Sequence, residues 1–233
     1  MKYKAIIFDL FGTLVDRYEL VAYASALRET SSLLKIPHND FMKLWNETEE
    51  KRTTGVFKTL EENLVFICRE LNIPVKQFDI KLAKMVRYDF ISLSLTPRRY
   101  AIETLSQLKT DGYKMAVITN CAMEPPEIWP QTPFMPFFEA AIFSSIAGIK
   151  KPDPRIYLMA AEKLGVKPED CLYVDDNSDN LTPSVNAGMG AVLVRYPDES
   201  GEPPPVEQKD EWPGAVITSV EEILDLLEEQ NEV

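Results

Sequence analysis

The sequence has very little histidine and cysteine. His38 is its only histidine, and its three cysteines, Cys68, Cys121 and Cys171, are odd in number and far apart. Ser-His-Asp and Cys-His mechanisms need a histidine beside the nucleophile, while disulfide frameworks and zinc sites need cysteines in pairs. We therefore expect free, buried thiols and a reaction that other side chains carry.

Positive charge is also scarce. Lysine and arginine number 25 against 37 aspartates and glutamates, which gives a formal net charge of −12. Such a surface repels nucleic acid and anionic membranes. No signal peptide is evident, and no apolar run approaches the roughly 18 residues that a membrane span needs. These absences predict a cytoplasmic protein, a monomer or homodimer, that acts on a small molecule. A small anionic substrate fits, because local N–H groups and one lysine outweigh a distant average field.

Two periodicities divide the chain. Residues 4–10 form a continuous apolar run, which is typical of a strand covered on both faces. Residues 17–93 show helical periodicity without a convincing strand, and after residue 95 short apolar strands alternate with helices. This pattern predicts an α/β fold with a doubly wound parallel sheet, of the Rossmann-like type. We assign residues 1–16 and 94–233 to this core and residues 17–93 to an inserted, all-helical cap of about four helices.

Local signals locate several helix ends. Thr59 and Glu62 have the spacing of a capping box, as do Ser219 and Glu222. Thr96 before Pro97 predicts the start of a helix that ends near Gly112. A further helix should run from Asp153-Pro154 to Gly165. The stretch 196–213 is rich in proline and charge, and we expect an exposed loop there.

Polar side chains fall at the ends of four predicted strands, where a doubly wound sheet binds its ligands. In chain order they are Asp9, Thr119 with Asn120, Lys151, and Asp175 with Asp176. Four independent strand ends that each deliver a polar group are a much stronger indication of a site than any one of them.

These residue types suit the hydrolysis of an anionic substrate. Asp9 as nucleophile would split the reaction into formation and breakdown of a covalent intermediate. Backbone N–H groups around Phe11 and Gly12 form a turn that is suited to anions. Asp9, Asp176 and the carbonyl oxygen of Phe11 would offer the oxygen ligands that Mg²⁺ prefers.

The remaining strand ends complete the predicted site. Thr119 and Asn120 would donate hydrogen bonds to phosphoryl or carboxylate oxygens, and Lys151 would neutralise charge in the transition state. Asp175 serves as a second metal ligand or as a residue of the outer shell. Whether Asp179 or Asn180 faces the site stays open.

Four stretches of the sequence are similar to the four motifs of the haloacid dehalogenase superfamily, in the same order: residues 9–14 (DLFGTL), 118–120 (ITN), 151–154 (KPDP) and 174–176 (VDD). The helical insertion resembles the cap of its first subclass. The resemblance implies catalytic roles for Asp9, Thr119 and Lys151. It implies substrate contacts at Phe11, Gly12, Thr119, Asn120 and Lys151, and Mg²⁺ at Asp9, Phe11, Asp175 and Asp176.

One position departs from the phosphatases of that superfamily. They carry a second aspartate two residues after the nucleophile, which protonates the leaving group, and this chain has Phe11 there. An aromatic residue at this position resembles the 2-haloacid dehalogenase branch, which works without metal. Asp175 and Asp176 argue the other way, because carboxylates aimed at a carboxylate nucleophile repel one another unless a cation lies between them.

Taken together, the motifs favour a Mg²⁺-dependent phosphatase that acts on a small phosphorylated metabolite. A metal-independent 2-haloacid dehalogenase is the first alternative, and a catalytically weak binding or regulatory protein is the second. Without the acid, a phosphatase should be slow or favour good leaving groups such as acyl or aryl phosphates. Specificity should come from the cap, where Arg17, Arg52 and the turn at residues 53–55 are possible contacts.

Overall fold

The computed structural model describes residues 2–197 and 212–231, and these ranges contain one parallel sheet. Its strands are β1 (Ala5–Phe8), β2 (Lys114–Thr119), β3 (Ala140–Phe143), β4 (Cys171–Asp175), β5 (Gly190–Val194) and β6 (Ala215–Ile217). Their order across the sheet is β3-β2-β1-β4-β5-β6, and all neighbours pair in parallel. The predicted doubly wound α/β fold is confirmed. β6 was not foreseen, because three residues with one exposed side chain give almost no periodic signal.

The direction of winding changes at β1. From β1 the chain proceeds to β2 and β3 on one side, and it then crosses over to β4, β5 and β6 on the other. The crevice beyond the carboxyl ends of β1 and β4 is therefore the topological switch point, where such sheets bind ligands. Asp9 follows β1 and Asp175 ends β4, so both lie at this crevice.

Five helices form an insertion between β1 and the helix that precedes β2: α1 (Leu20–Leu33), α2 (His38–Glu47), α3 (Glu49–Thr53), α4 (Leu60–Glu70) and α5 (Gln77–Ser94). They enclose an apolar core of their own around Phe41, Trp45 and Leu64. We expected about four helices, and the additional one is the five-residue α3. The capping box that opens α4 forms partly as predicted. The Thr59 hydroxyl accepts from the Glu62 N–H at 3.1 Å, but the Glu62 carboxylate accepts from the Lys58 N–H and not from that of Thr59.

Four further helices cover the two faces of the sheet: α6 (Ala101–Thr110), α9 (Pro154–Leu164), α10 (Ser178–Asn186) and α11 (Ile223–Asn231). Two short helices, α7 (Glu124–Ile128) and α8 (Ser144–Ala147), follow the carboxyl ends of β2 and β3. Alternate residues of β1 point to opposite faces, as in any strand. Ile6 and Phe8 pack with residues of α6 and α11, and Ala5 and Ile7 with residues of α9 and α10. None of the described helices combines the length and hydropathy that a membrane span requires.

One predicted helix start is wrong, and a second helical segment starts where predicted but without its capping box. α6 begins at Ala101, because Thr96 donates its hydroxyl to Leu93 at the end of α5 and Pro97 bridges Val15. At the second site the Ser219 hydroxyl caps nothing, and the Glu222 carboxylate accepts instead from the Thr218 N–H at 3.0 Å.

Other local predictions are confirmed. Asp153 caps α9 through the Arg155 N–H at 3.0 Å, and the helix stops at Gly165, whose φ is +64°. The three cysteines are free and buried. Most of the predicted loop at 196–213 lies outside the described residues.

The helical insertion contacts the core through a buried ion pair. Arg87 of α5 donates to Glu124 of α7 at 3.2 Å, and the two side chains are 4% and 1% exposed. The next residue, Tyr88, donates its hydroxyl to Glu127, which lies one turn beyond Glu124 in α7. On the opposite side of the insertion Gly55 packs on the core, where an added Cβ would lie 1.8 Å from the Ser145 carbonyl oxygen. The insertion is thus held against the edge of the sheet that carries Asp9.

Breaking the Arg87–Glu124 pair from one side should destabilise the protein strongly. Replacing Glu124 by Leu leaves a buried guanidinium without its carboxylate, and such losses cost about 3–5 kcal/mol of unfolding free energy. The double variant Arg87→Met/Glu124→Leu should recover most of it, since two apolar side chains replace the pair. Urea denaturation measures both. Equal stabilities of the single and double variants would show that the buried charge is not the cause.

Candidate active site

Asp9 lies directly beyond β1 and is 5% exposed. Its N–H donates to the Val174 carbonyl at 2.8 Å, which extends the pairing of β1 with β4 by one residue. The chain then turns sharply, because Leu10 accepts from the N–H groups of Thr13, Leu14 and Val15. This turn fixes the Asp9 backbone at the switch point, with its carboxyl group facing the loops that follow the other strands.

Gly12 is required in this turn for two reasons. Its φ is +97°, and an added Cβ would lie 1.9 Å from the Asp176 Oδ2. We predicted that its N–H faces an anion, and this is wrong: the group donates to the Val15 carbonyl at 2.8 Å. Gly12 therefore acts through the absence of a side chain, which lets the Asp176 carboxylate approach the turn.

Lys151 is buried among oxygen atoms. Its ammonium donates to Asp9 Oδ1 at 2.5 Å, to Asp175 Oδ2 at 2.8 Å and to the Tyr173 hydroxyl at 3.0 Å. An ammonium has three donors, so all three are in use. The ion pairs also set its pKa. Burial alone would lower the pKa of Lys151, but Asp175 and Asp9 outweigh burial and hold the pKa above its usual value.

Asp175 is fully buried and serves as the anchor of the site. Besides Lys151 and Tyr173, its carboxylate accepts from the Asn177 N–H at 2.8 Å and from the Asn180 amide at 3.0 and 3.1 Å. The open question about α10 is thereby resolved, since Asn180 faces the site while Asp179 is exposed. These donors hold the Asp175 carboxylate in one orientation.

Asp176 lies at the open side of the site. Its Oδ2 accepts from the Arg17 Nε at 2.6 Å, and the side chains are 13% and 71% exposed respectively. Burial and the charge of Asp175 raise the pKa of Asp176, and Arg17 opposes them. Arg17 was one of the candidate contacts in the sequence, and it is the one of these candidates that reaches the strand ends.

Asn120 holds the loop of Lys151. Its side-chain oxygen accepts from the Lys151 N–H at 2.8 Å, and its amide donates to the Lys151 carbonyl at 2.9 Å. One of the two N–H groups of the amide is thus used, and donation to substrate by the other stays a prediction. Thr119 lies at the end of β2, is 1% exposed and lines the cavity above Asp9.

The cavity above these residues has a volume of about 330 Å³. Its walls are formed by Asp9, Phe11, Arg17, Tyr18, Thr119, Asn120, Lys151, Asp176, Asn177 and Asn180. On one side Phe11 packs against Tyr18, with ring centroids 4.7 Å apart, and Tyr18 stacks on Tyr23 of α1. A larger cavity of about 580 Å³ lies between α4 and α5, lined by residues such as Glu61 and Lys84. None of the strand-end residues lines it, so we place the site at the smaller one.

The remaining cap candidates do not line the cavity over Asp9. Arg52 is buried, stacks on Trp45 at 3.7 Å and donates to Thr48 at 2.8 Å. Thr53 and Thr54 donate their hydroxyls to carbonyls of their own helix. Sequence reasoning in turn missed Tyr173, Asn177 and Tyr18. Tyr173 carries a usable signal, because it lies two residues before Asp175 and its side chain therefore leaves β4 on the same face.

The three carboxylates at the strand ends are arranged as a candidate cation site. Asp9, Asp175 and Asp176 each offer an oxygen, and the three atoms lie within 4.8 Å of one another. Lys151 and Arg17 balance two of the three charges, which leaves one negative charge in the cluster. A compact set of hard oxygen donors with excess negative charge fits Mg²⁺, which prefers such ligands.

The same crowding changes the titration of Asp9. Burial raises its pKa, Lys151 opposes this, and Asp175 and Asp176 raise it further, to about 7. A carboxyl group in this environment takes up a proton unless more positive charge is supplied. The pKa therefore agrees with the excess negative charge of the cluster.

Without divalent metal, the protein should lose stability as the pH rises. The pKa of Asp9 is about 7 in the folded protein, whereas the ordinary pKa of an aspartate is 3.8, so between these values the folded state binds more protons than the unfolded state. Its free energy of unfolding should fall over this window, by roughly 1–4 kcal/mol. Urea denaturation in chelator at pH 5 and pH 8 measures this. Asp9→Asn should show a weaker dependence, and an unchanged slope would contradict the assignment.

Comparison with known proteins identifies the family. The family model for haloacid dehalogenase-like hydrolases matches residues 3–188. The chain belongs to this family and is a hydrolase, as its four motifs predict.

Relatives with different reactions resemble the chain to a similar degree. A glyceraldehyde 3-phosphate phosphatase from Pyrococcus furiosus is 28% identical over 243 residues, which cover 98% of this chain and 94% of that protein. An (S)-2-haloacid dehalogenase from Burkholderia cepacia is 27% identical over 209 residues, 88% and 87% of the two chains. The crystal structure of a phosphatase of this family from Thermococcus onnurineus aligns with a TM-score of 0.67 at 20% identity, covering 96% and 97%. These similarities establish family and fold, and the choice of reaction depends on the site.

Proposed function

We propose that the protein is a Mg²⁺-dependent phosphatase that acts on a small phosphorylated metabolite in the cytoplasm, as a monomer or homodimer. The observation that carries the proposal is the cluster of Asp9, Asp175 and Asp176 around one buried lysine. A metal-free dehalogenation gains nothing from three adjacent carboxylates, whereas a phosphoryl group needs a cation to lie beside a carboxylate nucleophile. Glyceraldehyde 3-phosphate phosphatases and pyrophosphatases among the relatives support the same class of substrate.

In this proposal residues 1–16 and 94–233 form the catalytic core and residues 17–93 the cap. Asp9, Asp176 and the Phe11 carbonyl oxygen would hold Mg²⁺, with Asp175 as a further ligand or as the group that orients the others. When bound, Mg²⁺ would neutralise charge on the phosphoryl oxygens and hold them against the nucleophile.

The reaction would proceed in two displacements at phosphorus. An oxygen of Asp9 attacks, the bond from phosphorus to the leaving oxygen breaks, and that oxygen takes the electron pair. Water then attacks phosphorus, the bond to Asp9 breaks, and the carboxylate is restored. Thr119 would donate to a phosphoryl oxygen. The donors of Lys151 hold the Asp9 and Asp175 carboxylates in place, so Lys151 would stabilise the transition state through its positive charge.

Phe11 limits the leaving groups that this site can expel. No carboxylic acid stands two residues after Asp9, and the Phe11 ring packs on Tyr18 instead. General acid catalysis contributes about 10²- to 10⁴-fold to such reactions. Substrates whose leaving group is weakly basic, such as acyl and aryl phosphates, should therefore be favoured over alkyl phosphates.

The second candidate is a 2-haloacid dehalogenase. Phe11 favours it, because halide leaves without a proton and needs no acid at this position. The nucleophile would again be Asp9, attacking carbon in place of phosphorus. A dehalogenase has no use for the excess negative charge of the carboxylate cluster, and for this reason we rank it second. A protein that only binds its ligand is ranked third, since the strand ends carry a carboxylate nucleophile, a lysine and a candidate cation site.

Removal of divalent metal tests the proposal. Purified protein should release phosphate from aryl and acyl phosphates in Mg²⁺, and an excess of chelator should lower the rate at least about 10²-fold, because the nucleophile then takes up a proton and the phosphoryl charge is unbalanced. Activity should return when Mg²⁺ is added back. Phosphate release that survives exhaustive chelation would overturn the metal-dependent mechanism.

A further inference from the structure

The cavity contains one cation whose hydrogen-bonding capacity is largely unused. Lys151 spends its three donors on Asp9, Asp175 and Tyr173. Arg17 has five donors and uses one of them, since its Nε donates to Asp176 at 2.6 Å. Its two terminal nitrogens have no partner among the described residues. A guanidinium with a free, planar pair of nitrogens is the group best suited to bind an oxyanion.

The position of Arg17 is fixed by its anchor. Asp176 lies against the Gly12 backbone, where no Cβ intervenes, and it holds the Arg17 Nε on the open side of the cavity. The side chain is 71% exposed and lines the cavity, so its terminal nitrogens are accessible to a ligand from solvent. Phe11 and Tyr18 line the same cavity. Asp9 and Arg17 line the same cavity, so an anion that binds there can contact both.

Among the described residues two cations line the cavity, and only Arg17 keeps free donors, since Lys151 has none left. Phe11 occupies the place of an acid, and Asn120 and Asn180 are engaged with Lys151 and Asp175. We propose that Arg17 is a catalytic residue that stabilises the negative charge on the leaving oxygen, in place of a proton donor. The inference rests on the proposed phosphatase function and deepens it, because it assigns the substrates to weakly basic leaving groups.

The step is balanced without a further reactant. As the Asp9 oxygen bonds to phosphorus, the electron pair of the breaking bond moves to the leaving oxygen. That oxygen departs as a phenolate or carboxylate, hydrogen-bonded to the Arg17 guanidinium, and takes a proton from bulk water only if its own basicity requires one. A guanidinium is charged throughout this cycle, so it contributes an electrostatic effect and no proton.

A series of aryl phosphates distinguishes this role from simple anion binding. In Mg²⁺, kcat/KM is measured for phenyl phosphates whose leaving phenols differ in pKa, with wild-type protein and Arg17→Gln. More charge develops on a more basic leaving oxygen, so the variant should lose about 10-fold with a nitrophenyl ester and about 10²-fold or more with phenyl phosphate. Arg17→Lys should recover part of the loss.

Arg155→Gln is the matched control. Arg155 forms an ion pair with Asp153 at the start of α9, its side chain is about as exposed as that of Arg17, and it does not line the cavity. The Arg155→Gln variant should hydrolyse every ester at the wild-type rate. An equal loss for all esters would show that Arg17 binds only the phosphoryl group, and no loss would show that it is a bystander; either result overturns the proposal while the phosphatase function stands. Wild-type protein that hydrolyses none of the esters would overturn the phosphatase function itself.

Discussion

Asp9→Asn should lose at least about 10⁴-fold in turnover with every substrate that the wild-type protein hydrolyses, since loss of a nucleophile in comparable two-step hydrolases has effects of this size or larger. The amide keeps the volume of the side chain, so the neighbouring strands and Lys151 should keep their positions. It has no charge with which to attack phosphorus or carbon. The measurement is single-turnover product release at saturating substrate, which excludes a contribution from slow product dissociation.

Asp179→Asn provides the control for this experiment. Asp179 lies in the first turn of α10, three residues beyond Asp176, and its side chain is exposed. The same chemical change should leave turnover within about twofold of wild type, because exposed residues away from special contacts tolerate substitution. Activity of Asp9→Asn within about 10-fold of wild type would remove the nucleophile from both candidate reactions. The protein would then be a hydrolase by another route.

Phe11→Asp should raise the rate with alkyl phosphates by about 10²-fold, since an acid at this position protonates the leaving oxygen and such catalysis contributes about 10²–10⁴-fold. With nitrophenyl or acyl phosphates the gain should be small, because these leaving groups need no proton. The substitution removes the contact of the Phe11 ring with Tyr18 at 4.7 Å, so some stability should be lost as well. The measurement is kcat with paired alkyl and aryl phosphates.

Phe11→Asn separates the acid from the loss of the ring. It has the shape of aspartate and the same effect on Tyr18, but no proton to give. We expect it to gain nothing with alkyl phosphates. Equal gains for both variants would mean that the ring only restricts access to Asp9. No gain for Phe11→Asp in a folded protein would mean that the step which limits turnover is not departure of the leaving group.

The strand ends were the most predictable part of this molecule. Buried strands give long apolar runs, and a parallel sheet brings all their carboxyl ends to one edge. The sequence alone therefore predicts that Asp9, Lys151 and Asp175 lie close together. Five of the six strands and the helical insertion were predicted from the same alternation. β6 and α3 did not, because elements of three to five residues leave no periodicity to read.

The contacts between side chains were the less predictable part. The sequence identifies Asn120 and Gly12 as site residues, yet the use of each group depends on neighbours that are remote in the chain. Asn120 pairs through its oxygen and one amide N–H with the Lys151 backbone, and the Gly12 N–H pairs with Val15. The helix start predicted at Thr96 failed for a similar reason, since the Thr96 hydroxyl has a partner at the end of the preceding helix. The place of Arg17 at the site could not be predicted, because it depends on the ion pair with Asp176, which is remote in the chain.

The most direct test of the central claim is one preparation assayed for two products, in Mg²⁺ and in chelator. One arm follows phosphate released from aryl and acyl phosphates, and the other follows halide released from 2-chloropropionate. We predict phosphate release that requires Mg²⁺ and no halide release under either condition. Halide release that is indifferent to chelator, without phosphate release, would contradict the account and make Phe11, rather than the carboxylate cluster, the residue that defines the reaction.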